Sequence, residues 1–245
     1  MTSTPEEHEQ QAFLARLQPL VRPGDVFNLV LEPPWWALDR QLTGLALRLR
    51  QRRLFGALGR TLETHSMLLL RGEQLLSVEA PRARLVPLGA LHQARLSVWR
   101  LSGHELAPTE LDFLEDAARR FLDRAFDPAG VMALAAQGVL GYPRTLRPGP
   151  LELCRAHRAS AVAVRACFEH VRRTFERRGA PTVPRMFQRV KDPTWLDTPM
   201  VEASNRHLRG LDLEATCPAH FSNSQRFADE FSLVAELDHG VQLHP

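Results

Sequence analysis

Apolar and polar positions alternate along this chain with two different periods. Between residues 26 and 101, short apolar runs bounded by turn residues predict strands at 26–31, 64–70, 75–81, 84–88 and 94–101. The last of these alternates cleanly, and the short connections among the later runs favour antiparallel pairing. Elsewhere the spacing is helical. Residues 6–20 set Phe13, Leu14, Leu17 and Leu20 on one face. Residues 37–59 repeat leucines among arginines (Leu42, Leu45, Leu49, Leu54, Leu58), as one or two amphipathic helices whose leucines face the core. Thr109 reads as the N-cap of a helix over 110–124, acidic in its first turns and basic in its last. An apolar helix is expected over 131–139, an amphipathic one over 167–179 ended by Gly179, and a last strand over 232–237. The sum is an α+β fold, an antiparallel sheet of about four to six strands packed against helices, in a single domain spanning 1–245.

Composition narrows the function classes. The chain has 245 residues, 44% of them hydrophobic, enough for one sizeable core. Its formal charge of +3 rests on arginine, Lys191 being the sole lysine, and acidic residues are interspersed throughout. No basic block interleaved with aromatics suggests a nucleic-acid partner. Residues 1–11 carry Glu6, Glu7 and Glu9 where a signal peptide needs basic and then apolar residues, and no apolar window is long enough to span a membrane. A cytoplasmic location is expected. Cys154, Cys167 and Cys217 show no Cys-x-x-Cys spacing, the histidines no metal-site spacing, and the glycines no phosphate loop. Neither a metal nor a cofactor is expected.

The candidate chemistry is that of a thiol. Cys167 falls in the first turn of the helix expected at 167–179, where unpaired N–H groups favour a thiolate. His65, at the head of one strand, is the candidate base, and Glu79, at the end of the next, offers a carboxylate to orient it. His170, three residues beyond the cysteine, is a reserve base. Cys154 and Cys217 read as structural or incidental.

Several segments, taken in order, resemble the permuted papain-like cysteine hydrolases (NlpC-related, YiiX-like), circularly rearranged relatives of the NlpC-type cell-wall peptidases and of lecithin retinol acyltransferase. Arg22-Pro23-Gly24-Asp25-Val26 resembles the family's opening turn and strand. Thr64-His65-Ser66-Met67 resembles its histidine strand, Val78-Glu79-Ala80-Pro81 its Glu-Ala strand, and Cys167-Phe168-Glu169-His170-Val171 the start of its nucleophile helix. Cys217-Pro218-Ala219-His220 resembles its closing Thr-Pro-Ala-Asp segment. Phe126-Asp127 stands where the family has Tyr-Asp, and Phe168 replaces a small serine. A second register sets Ala159-Ser160 at the Cys-Ser position, leaving alanine in place of the nucleophile.

The resemblance implies a cysteine amidase or peptidase in which Cys167 forms an acyl-enzyme, His65 shuttles the proton and Glu79 holds the imidazole. Its substrate would be peptide-like or acyl-containing. A lipid acyltransferase or esterase on the same residues, and a non-catalytic binding module of the same fold, are the alternatives. Trp35 and Trp36, with the leucine-arginine segment after them, are expected to wall a cleft in preference to lying on a membrane surface.

Overall fold

The computed structural model describes residues 4–31, 38–55, 60, 62–79, 82–122, 160–187, 216–239 and 241–244. Its strands are β1 (Val26–Val30), β2 (His65–Leu70), β3 (Gln74–Val78), β4 (Ala83–Pro87), β5 (Arg95–Leu101), β6 (Phe231–Asp238) and β7 (Val241–His244). All neighbours pair antiparallel, in the order β4-β3-β2-β1-β5-β6-β7. Among the described residues the sheet therefore has seven strands, one more than the upper end of the four to six expected. β7 is the addition, an edge strand of four residues, too short for its period to stand out.

The helices are α1 (Pro5–Leu17), α2 (Leu38–Phe55), α3 (Pro108–Arg119), α4 (Ser160–Glu176) and α5 (Pro218–Ser222). The fold is α+β, as the two periods in the sequence imply. Thr4 and Glu7 close α1 reciprocally, the Thr4 hydroxyl accepting the Glu7 N–H and the Glu7 carboxylate the Thr4 N–H. α3 starts two residues earlier than the cap at Thr109 implies: Ala107 is the N-cap, Pro108 occupies the first turn and the Glu110 carboxylate accepts the Ala107 N–H at 2.9 Å.

Alternation gives the sheet two buried faces. On one, Phe27, Leu29, Met67, Leu69, Leu75 and Val98 pack with Phe13 and Leu17 of α1. On the other, Val26, Leu68, Leu70, Leu76 and Trp99 pack with Leu114 of α3, Val164, Phe168 and Val171 of α4, and Phe221 of α5.

The turn into β1 holds the ends of three strands together. Gly24 takes φ +96°, a conformation strained for any side chain, and a Cβ there would crowd Leu106 Cδ1, so the turn favours glycine. The next residue, Asp25, is buried, and its carboxylate accepts from Arg100 Nε at 2.8 Å, Arg100 Nη2 at 2.7 Å and the Arg22 N–H at 2.8 Å. That bidentate pairing raises the already high Arg100 pKa.

α2 departs from expectation at two of its leucines. Among its described side chains Gln51 and Phe55 are buried and Leu47 packs against the core, whereas Leu45 and Leu49 are exposed. Several sequence readings lie outside the described residues: Trp35-Trp36, Phe126-Asp127, the helix at 131–139, Cys154 and Ala159.

Candidate functional site

Cys167 does not sit at a helix start. Helical residues from Ser160 to Ala166 precede it, about two turns, so the N-terminal N–H groups that would favour a thiolate are too far away. Its side chain is fully buried in the core between α4 and the sheet, and burial alone drives the thiol pKa upward, away from the reactive range.

His65 lies on the other side of the sheet. The register pairs it with Leu29 on β1, a residue of the α1 face, and its Nε2 is 3.0 Å from the hydroxyl of Ser77, two positions from Leu75 on that same face. Burial lowers its pKa to about 4, against the opposing pull of Glu79. Glu79 shares that face by alternation and is committed to Arg84, whose Nε donates to it at 3.0 Å. The structure thus brings His65 and Glu79 near each other and leaves Cys167 across the sheet from both. His170 faces α3, where burial and the Arg120 charge lower its pKa.

Among the described residues, a thiol and an imidazole meet at Cys217 and His220. Cys217 Sγ lies 3.1 Å from His220 Nδ1, which also accepts the Cys217 N–H at 3.0 Å. Both are buried, and the ring is enclosed by Phe55, Phe187 and Phe227 with centroids 5.1–5.7 Å away. Cys217 reads as structural or incidental in the sequence, but Pro218 opens α5, so residues three apart face each other.

Polar groups concentrate on the α4 face at one end of the sheet. Asn28 on β1 pairs across with Ser66 on β2 and Ser97 on β5, giving a transverse row of three buried polar residues. Ser66 Oγ donates to Asn28 Oδ1 at 2.6 Å, and Asn28 Nδ2 donates to the Pro218 carbonyl at 2.9 Å and to Ser222 Oγ at 2.7 Å. Ser160, in α4, accepts the Ser66 N–H at 2.9 Å. Ser160 is the residue that the second register places beside the nucleophile position, and the structure sets it against the histidine strand through the backbone of Ser66.

Above this row opens a cavity of about 520 Å³, between the sheet end and α2. Asn28, Val30, Ser97 and Leu96 line its floor, Leu45, Arg48, Leu49 and Arg52 its α2 wall, and Arg60, Leu62, Glu63, Arg95 and Glu236 its remaining sides. Arg60 is spoken for: it pairs with Glu236 at 3.0 Å and stacks over Trp99, while Asn223 brackets its backbone. Arg48 donates one N–H to the Leu31 carbonyl at 3.2 Å. Among the described residues Arg48, Arg52 and Arg95 have no carboxylate partner, so the cavity carries uncompensated positive charge beside exposed Leu45, Leu49 and Leu62. No three histidine, cysteine, aspartate or glutamate side chains converge as metal ligands among the described residues. Nor is any described helix long and apolar enough to cross a membrane.

Comparison with protein-family models finds no match, and comparison with curated proteins finds none either. Among solved structures, the chain is similar to the metalloprotein YiiX from Escherichia coli O157:H7, at 14% identity and a TM-score of 0.42, over 89% of this chain and 98% of that one. So loose a likeness leaves the permuted papain-like assignment an expectation of the sequence.

Proposed function

We propose that this chain is a binding module that holds a small anionic amphiphile in the cavity under α2. The observation that carries the reading is the cavity's composition: three arginines without carboxylate partners among the described residues, set beside leucines that are exposed to the same opening. Its volume is in the range of ordinary small-molecule sites. A guanidinium fork suits a carboxylate or phosphate, and Leu45, Leu49, Leu62 and Val30 suit an alkyl body. The polar row beneath is already hydrogen-bonded within the protein, so the floor can be dry without leaving polar groups unsatisfied. An acyl-enzyme on Cys167, with His65 as base and Glu79 orienting it, would need those three groups on one face of the sheet, and they occupy two.

Calorimetric titration with decanoate tests the reading, with decanol as the uncharged control. Decanoate should bind saturably at one site, weaken with added salt, and lose affinity by about tenfold in Arg48→Gln/Arg95→Gln, the scale of one or two charge-assisted hydrogen bonds. Equal binding of decanol, or saturable binding indifferent to both arginines, refutes it.

A further inference from the structure

Glu63 stands out in this cavity. It lines the same opening as the arginines, it is 94% buried by residue area (6% exposed), and its Oε2 has no hydrogen-bond partner among the described residues. Its backbone is held from both sides: the Glu63 carbonyl accepts from Gln51 Nε2 at 2.7 Å, and the following Thr64 N–H donates to the Leu29 carbonyl at 2.8 Å. Gln51 is itself fixed, its Oε1 accepting the Ala219 N–H at 2.9 Å. A buried carboxylate oxygen left unsatisfied is costly unless a group entering the cavity donates to it. Arg48 offers the complementary anomaly, a buried Nε with no acceptor.

Resting on the binding reading above, we propose that Glu63 is a specificity residue that receives an ammonium group, so that the ligand is an amine-bearing anion rather than a simple one. The arrangement orients it. Arg52 and Arg95 are exposed at the mouth and Glu63 is buried within, so the ammonium points inward to Glu63 and the anionic group outward to the guanidinium groups. Two chemistries share this pattern, an α-amino carboxylate and an aminoalkyl phosphate, each with an apolar body for the leucines.

Matched probes separate the parts of the proposal. Decanoate and 2-aminodecanoate differ only in the amine; decyl phosphate and decyl phosphoethanolamine compare an anion without an amine and one with an amine on the phosphate side. In each pair the aminated member should bind at least about tenfold more tightly to the wild-type chain, the scale of one charge-assisted hydrogen bond. The stronger of the two preferences identifies the source. Glu63→Gln should abolish the preference and tighten decanoate, because a buried repulsive charge is gone. Glu63→Asp, which keeps the charge on a shorter arm, should retain a reduced preference, which a purely structural role for Glu63 would not produce. Equal affinities within both pairs, or a preference that survives in Glu63→Gln, overturn this proposal and leave the binding reading standing. Failure of every probe to bind overturns both.

Discussion

The pH dependence of stability should be set by two buried groups with opposite slopes, and substitution of Glu230 should isolate one of them. Glu230 precedes β6, and both its carboxylate oxygens lie within hydrogen-bond reach of the Phe187 N–H, at 2.8 and 2.7 Å. Burial raises its pKa from 4.5 to about 7, outweighing the stabilisation of the charged form by that N–H and by Arg165. The folded state therefore holds this proton more tightly than the unfolded chain. Stability from Glu230 is fully present below pH 4.5 and is lost as pH rises through 7. His65 runs the other way: its pKa falls from 6.5 to about 4, so its contribution is present above pH 6.5 and is lost as pH falls through 4. Between about pH 4.5 and 6.5 the contributions of these two groups offset each other.

Above pH 6.5 the Glu230 slope is no longer opposed by that of His65. At about 1.4 kcal/mol per pH unit, the displacement of its pKa corresponds to a penalty on the order of 3 kcal/mol at pH 8. Glu230→Gln keeps an oxygen for the Phe187 N–H and removes the charge. The variant should match the wild type near pH 4.5 and exceed it at pH 8, and a urea midpoint should move by roughly 1 M at an m-value near 3 kcal/mol/M. Urea titrations at half-unit pH intervals from 4 to 8.5 measure both curves. Parallel curves, or a variant less stable than the wild type at pH 8, would refute the argument that burial outweighs the Arg165 attraction.

Two further outcomes follow from the same structure. Asp25→Ala strands the Arg100 guanidinium and the Arg22 N–H and should destabilise by about 3 kcal/mol in urea unfolding, the range for a broken, largely buried pair; a change within experimental scatter would mean the pair contributes nothing. Cys167, buried and with its thiol pKa pushed up, should resist iodoacetamide at neutral pH until the chain unfolds, read by peptide mass spectrometry; labelling within minutes in the folded state would return it to candidacy as a nucleophile.

The sheet was legible because its strands alternate or end at turn residues, and six of the seven strands fall close to where the sequence puts them. What could not be read was which way each face points. Every position of β2 is buried, so His65, Ser66 and Met67 present no polar contrast to separate the α1 face from the α4 face. The pairing of His65 with Cys167 rested on the family resemblance, and the strand itself offered no contrast to test it. The start of α4 was hidden for a related reason. Residues 160–165 are buried all round, so Ser160-Ala161-Val162-Ala163-Val164 shows no helical stripe and the helix becomes visible only past Cys167, where Arg173 and Arg177 supply a polar side. The cavity was unreadable because Glu63, Arg95 and Glu236 meet only through the register of β1, β2, β5 and β6.

The placement of the polar row explains how one sheet supports both a core and a ligand site. Asn28, Ser66 and Ser97 occupy the α4 face at the end where Val30 and Arg95 lead to the cavity, while Val26, Leu68 and Trp99, two residues along each strand, begin the apolar core. Each polar group is satisfied from a different element: Ser66 by Asn28, Asn28 by α5, the Ser66 backbone by Ser160 of α4, and Ser97 by Trp99 Nε1 at 2.8 Å. Satisfied buried polar groups add little net stability, but an unsatisfied one is expensive, so the row penalises any shift of α4 or α5 relative to β1. Placed beside Cys217-His220 and its cage of aromatics, it holds the cavity floor in one geometry. The walls differ in kind. On the α2 side Leu45, Leu49 and Arg52 are exposed, so ligand chemistry can be altered there by substitution with small consequences for the core beneath.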